Sequence, residues 1–248
     1  MPDAPRTQSL DSLPRDYGDA AAALRDGLIS VFGPGLRALY LYGAATFPET
    51  EGIGDLDYHA LLASPPTADE IAALAGMEKE LARSHPPYGA DLDGWIILFD
   101  DARRSAPPGH LVHPELRDGA WALHRAHWLA GQCVVLHGPT PAQVVPEPSD
   151  RELRTGLNSE LDFAVRGDGD AYAVLNACRI IRSVADDNVV QSKFGAAWWA
   201  LDHLPGEHAA AVRAAMAIYR GEATAQDAVA VAGGRAAIMA LAARELGR

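Results

Sequence analysis

The chain has 248 residues, 48% of them hydrophobic, which is ample for one large domain or two modest ones, each with a true core. Acids outnumber bases 33 to 21, a formal net charge of −12, so no general field draws the protein to nucleic acid or to an anionic membrane, and cationic partners suit it better. Cys133 and Cys178 sit far apart with no ligand-like spacing, which excludes a disulfide framework and a thiolate metal site and leaves two buried thiols as the expectation.

The first eighteen residues contain no apolar signal-like core, and nowhere does an apolar run approach the ~18 residues a membrane helix needs; a cytoplasmic protein is expected. Residues 19–32 predict a helix, and 36–42 a strand. A second strand is predicted over 55–63 and a third over 91–99. Between these last two, Thr67 with Glu70 three residues on forms a capping box ahead of an amphipathic helix. The pattern predicts an α/β or α+β half. After a Pro-rich stretch, residues 118–132 predict another helix, followed by the short apolar segment "CVVLHGPTP", residues 133–141. Pro139, Pro141, Pro146 and Pro148 make the next segment read as a linker, and Ser149 with Glu152 supplies a second capping box. Helical patterns then fill the chain near 150–165, 170–185, 192–203, 207–220 and 224–246. Two domains are expected, 1–148 and a helical bundle over 149–248. Gly233-Gly234 is expected to kink the last helix.

The chemistry concentrates in "YGAATFPETEGIGDLDY", residues 42–58. Asp55 and Asp57 are spaced i, i+2 on a strand, so they face one side about 7 Å apart along the backbone, and their carboxylates can converge on one point. Aspartate is unfavourable in a strand, and two like charges so placed call for a cation. Hard oxygen ligands favour Mg²⁺, which takes one or two protein carboxylates and completes its shell with water and phosphate. Gly43, where the chain leaves a strand, allows backbone N–H groups to approach phosphate oxygens. A turn cap at Asp55 and a solvated Asp57 are the plain alternative. Asp93 opens the third strand; if that strand lies beside the second, it completes a triad able to hold metal while one member accepts a proton. Asp91 competes for that place. Trp121 and Trp128 lie on one helical face and are expected in the core. His124 and His127 stand at i, i+3, but no acid or third histidine is placed with them in sequence.

Gly43-Ala44, then Asp55-Leu56-Asp57, then a later strand acid resembles the active-site pattern of the polymerase-β-like nucleotidyltransferases. With "VLNACRIIRSVADDNVVQSKFGAAWWALDHLP" and "AAMAIYRGE", nearly the whole chain resembles the bacterial adenylyltransferases that modify streptomycin and spectinomycin. That resemblance implies an α+β fold, an N-terminal mixed sheet with helices followed by a C-terminal α-helical bundle, with ATP and drug in the cleft between them. It implies transfer of AMP from MgATP to a hydroxyl of the antibiotic. Asp55 and Asp57 would then hold Mg²⁺, with Asp93 as catalytic base and third ligand. Arg179 and Lys193 match positions that contact nucleotide phosphates, and Tyr219 one near the nucleotide. The chain departs from the family at Ala44 and Gly54, where serines are common, and at Asp93, where glutamate is usual. A nucleotide-binding homologue with weakened turnover, or a transferase for another metabolite or a protein, stays open beside it. Glu160, Asp162, Asp168 and Asp170 lie near the family's drug-binding region and read first as solvated surface acids.

Overall fold

The computed structural model describes residues 8–48, 54–167 and 169–248. Four strands, β1 (Leu36–Tyr42), β2 (Leu56–Leu62), β3 (Leu92–Leu98) and β4 (Val134–His137), make one sheet in the order β3-β2-β1-β4. The β2–β3 pair is parallel, and β1 is antiparallel to both β2 and β4. A parallel pair cannot be joined by a hairpin, and the crossover is the capped helix α2 (Ala68–Ser84). Its N-terminus carries the capping box read from Thr67 and Glu70, with the Thr67 N–H donating to the Glu70 carboxylate at 2.7 Å. Helix α1 (Arg15–Phe32) begins four residues earlier than the sequence pattern predicts, directly after Pro14. The extra turn brings in Tyr17, which is fully buried.

Two short helices, α3 (Phe99–Ala102) and α4 (Trp121–Leu129), complete the sheet-bearing part. Alternation along the strands gives the sheet two faces. One presents Leu39, Leu41, Tyr58, Ala60 and Ile96, all buried, and α1 packs against β1. The other presents Ala38, Tyr40, Tyr42, Leu61 and Ile97, which form one core cluster with Trp121 and Trp128 of α4 and with Val144 and Val145. The last pair corrects the linker reading of the proline-rich segment. Its valines are buried, the Tyr40 hydroxyl donates to the Pro139 carbonyl at 2.9 Å, and the buried Arg125 guanidinium donates to the Pro146 carbonyl at 3.1 Å. Proline density made the segment stiff and turn-rich, while its two valines gave it apolar area to bury.

The remaining helices are α5 (Asp150–Arg166), α6 (Asp170–Ala185), α7 (Lys193–His203), α8 (Ala209–Arg220) and α9 (Ala225–Glu245). The chain divides into two compact units, Met1–Thr46 with Gly54–Pro148 and Phe47–Ile53 with Ser149–Arg248. In the second unit α6 is the central helix, buried along Ala173, Val174, Leu175, Ala177, Cys178 and Ile180, and it packs on α5, α7, α8 and α9. Among the described residues no helix is long and apolar enough to cross a membrane.

Helix α9 runs through Gly233-Gly234 without a break in its assignment. The two glycines differ in surroundings: a Cβ at Gly234 would lie 2.4 Å from the Ala211 Cβ of α8, whereas one at Gly233 would meet nothing within 4 Å. Gly234 is thus a close-packing residue, and Ala211 has no rotamer with which to yield. Gly234→Ala is expected to lower stability by about 1–2 kcal/mol despite its better helix propensity, whereas Gly233→Ala gains up to about 1 kcal/mol. Denaturant melts of the two variants read this directly, and a stabilised Gly234→Ala would refute it.

Candidate active site

The register of the sheet places the acidic side chains. Asp57 is paired with Asp93 across the parallel β2–β3 ladder and with Tyr42 across the antiparallel β1–β2 ladder, so the three form one row on one face. The next row inward is Tyr40, His59 and Trp95, and the next Ala38, Leu61 and Ile97. The face therefore grades from carboxylate through polar aromatic to aliphatic. Asp55 precedes β2 by one residue and lies two residues from Asp57; it and Asp57 are half-buried, and Asp93 is exposed. Asp91 lies outside the strand and is exposed, and its carbonyl accepts the Leu56 N–H at 2.9 Å. Of the loop ahead of Asp55, residues 49–53 lie outside the described residues.

Tyrosine acidity reports the convergence of negative charge. Burial pushes the Tyr42 phenol well above its ordinary range, and Asp57, Asp93, Asp118 and Asp55 push it further in the same direction. Tyr17 is raised likewise, by burial first and then by Asp57 and Asp55. Its hydroxyl donates to the Asp55 carbonyl at 3.2 Å, tying the start of β2 to α1. Both phenols stay protonated and neutral beneath the acids.

Gly43 closes the row. Its φ is +80°, and an added Cβ would lie 1.7 Å from the Asp57 Oδ2. Backbone and carboxylate thus occupy space that only glycine leaves open. The turn Ala44–Thr46 follows, and Ala44 is half-buried. Thr46, which sequence reading passed over, is buried; its hydroxyl donates to the Gly43 carbonyl at 2.8 Å, and its carbonyl accepts from Gln8. The hydroxyl missing at Ala44 is present two residues on, but it is spent on holding the loop.

In the second unit the residues singled out as phosphate contacts are already engaged. The Lys193 ammonium, in the first turn of α7, sits over the Tyr172 ring at 4.7 Å and the Tyr219 ring at 5.4 Å. Arg179 donates to the Glu160 carboxylate of α5 at 2.5 Å, and the same Oε2 receives Asn176 at 3.3 Å and the Tyr172 hydroxyl at 3.5 Å. Tyr172 links the two cations, so Arg179, Lys193 and Tyr219 belong to one network. Glu160 is consequently no solvated surface acid, since its side chain is only 15% exposed. Asp162 pairs with Arg248 at 2.7 Å and Asp170 with Arg235 at 3.3 Å, while Asp168 lies outside the described residues. Glu160 and Arg179 come from different helices, which is why no local spacing announced their pairing.

Fold and site together define a class before they define a family: an α+β protein whose sheet carries acids in register and whose second unit is helical. The solved spectinomycin adenyltransferase AAD(9) of Enterococcus faecialis, determined with ATP and spectinomycin, is similar in fold. It superposes with a TM-score of 0.73 over 93% of this chain and 99% of that one, at 12% identity, a likeness of fold. Residues 145–243 match the model of the aminoglycoside adenylyltransferase C-terminal domain.

Proposed function

We propose that this protein transfers AMP from ATP to a hydroxyl group of a cationic aminoglycoside or aminocyclitol, spectinomycin and streptomycin being the first acceptors to test. The observation that carries the reading is the register pair Asp57–Asp93 with Asp55 two residues away, in a protein whose residues 145–243 match the aminoglycoside adenylyltransferase C-terminal domain. An all-oxygen donor set on adjacent strands, beside a glycine with no side chain to block it, fits a hard divalent cation. Asp55, Asp57 and Asp93 would hold Mg²⁺. When bound, that ion supplies charge neutralisation for the phosphates of ATP.

The remaining chemistry belongs to the chain. Asp93, the most exposed of the three acids, accepts the proton of the attacking hydroxyl as its oxygen bonds to the α-phosphorus. The bond from that phosphorus to the bridging oxygen breaks in line, and pyrophosphate leaves. Backbone N–H groups of the Gly43–Ala44 turn serve the phosphates as neutral donors. Arg179 offers a planar fork and Lys193 a point charge, both suited to phosphate oxygens. To do so, Arg179 exchanges the Glu160 carboxylate for phosphate oxygen, one charge-assisted partner for another. The net charge of −12 favours a polycationic acceptor.

Pyrophosphate release in the presence of ATP, Mg²⁺ and each drug tests this. Release dependent on spectinomycin or streptomycin supports it; ATP binding without release, or release with unrelated acceptors alone, refutes it. A further expected result concerns Ala44. Ala44→Ser restores a hydroxyl at the turn and is expected to lower the KM for ATP by up to about 10-fold with kcat little changed, the worth of one hydrogen bond to a charged group. An unchanged or raised KM would mean that the turn does not meet phosphate.

A further inference from the structure

Beneath the acidic row lies a second polar cluster that nucleotidyl transfer does not use. His59, fully buried in β2, sets its Nε2 3.2 Å from the Asp118 Oδ2, and His124 of α4 sets its Nδ1 2.8 Å from the same oxygen. The other Asp118 oxygen, Oδ1, accepts the Ala120 N–H at 3.1 Å, so the backbone fixes the plane of the carboxylate. Asp118 is 1% exposed, and the His124 side chain 20%. One donor atom from each residue lies within 4.8 Å of the others.

We propose that His59, Asp118 and His124 form a site for a divalent transition-metal ion of the zinc class, distinct from the oxygen-only row of Asp55, Asp57 and Asp93. Two imidazole nitrogens and one carboxylate oxygen are a borderline donor set that suits zinc and its tetrahedral analogues, whereas Mg²⁺ prefers oxygen alone. In a tetrahedral site with bonds of about 2.0–2.1 Å the ligand atoms stand about 3.3 Å apart, close to the two separations around Oδ2. His124, the partly exposed member, leaves a route for entry.

The His59 Nδ1 is buried and has no hydrogen-bond partner, an orphan that ligation through Nε2 leaves in place, so it is the placement of the three donor atoms that points to an ion. Ligation through His59 Nε2 and His124 Nδ1 places the remaining ring protons on His59 Nδ1 and His124 Nε2. Tyr42 packs on both imidazoles, at 5.1 and 5.0 Å between ring centroids, so an ion here would stiffen the floor of the acidic row.

The test uses the full chain freed of metal with a chelator and titrated with Co²⁺, whose intense visible bands report tetrahedral nitrogen and oxygen ligation, followed by displacement with Zn²⁺. One equivalent with tetrahedral bands is expected. His124→Ala, chosen because it is the most exposed ligand, is expected to weaken binding by at least about 100-fold with the circular dichroism spectrum retained. Asp57→Asn is expected to keep the bands, which separates this site from the acidic row. Absence of tetrahedral bands in the wild-type chain overturns the proposal and leaves a hydrogen-bonded Asp–His cluster. Equal binding by folded His124→Ala, or loss of the bands in Asp57→Asn, overturns it too. The wild-type titration decides even if a variant does not fold.

Discussion

Asp57→Asn is expected to reduce drug-dependent pyrophosphate release by about 10³-fold, the range of a lost metal-binding or proton-accepting carboxylate. Stability should move the other way. Asp57 faces Asp93 in register across neighbouring strands, and like charges so placed cost roughly 0.2–1 kcal/mol. The amide is nearly isosteric and removes that repulsion, so the metal-free variant is expected to melt about 1–3 °C higher than the wild type. Loss of activity together with a gain in Tm separates a charge placed for function from one that merely caps a turn. A variant that retains turnover would refute the assigned role. One that loses both activity and stability would mean that Asp57 is structural.

The division of the chain into sheet and bundle was legible because it is written in local pattern. Short apolar runs from Leu36 to Tyr42 and from Leu56 to Leu62 mark strands, and Thr67/Glu70 and Ser149/Glu152 mark helix starts through capping boxes that the structure contains. The candidate site was legible only in part. The i, i+2 spacing of Asp55 and Asp57 shows in the sequence, but whether Asp93 stands beside them depends on strand order, a long-range property. The register Asp57↔Asp93 answers that question of neighbourhood.

What sequence reading missed follows the same line. His124 and His127 were paired by helical spacing, yet His127 turns back to the Leu123 carbonyl at 2.7 Å, while the companions of His124 are Asp118, from the preceding loop, and His59, from a strand 65 positions earlier. Glu160 was set among surface acids because its helix is polar on most sides. Its burial comes from α6, whose Tyr172, Asn176 and Arg179 all reach the same carboxylate. Proline content misled at 139–148, where two valines decide that the segment packs on the sheet.

Gly43→Ala tests the geometry of the acidic row without touching an acid. At φ +80° an alanine carries a backbone cost of about 1–2 kcal/mol, and its Cβ has nowhere to go. It would stand 1.7 Å from the Asp57 Oδ2, 2.5 Å from Cγ and 2.9 Å from Cβ, so the carboxylate itself must shift. A displacement of about 1 Å at a catalytic group costs on the order of 10²-fold in rate. The variant is therefore expected to lose at least about 10² in kcat/KM. Its Tm should fall by about 4–8 °C, from strain and crowding together. Gly35→Ala is the control, since a Cβ there meets nothing within 4 Å. If Gly43→Ala kept full activity, Asp57 would be free to move without consequence, and the fixed register of the acidic row would not be what positions the chemistry. If instead activity falls as expected while Gly35→Ala leaves it unchanged, the loss follows from the close approach at Gly43, because both substitutions add the same methyl group to a loop glycine flanking β1.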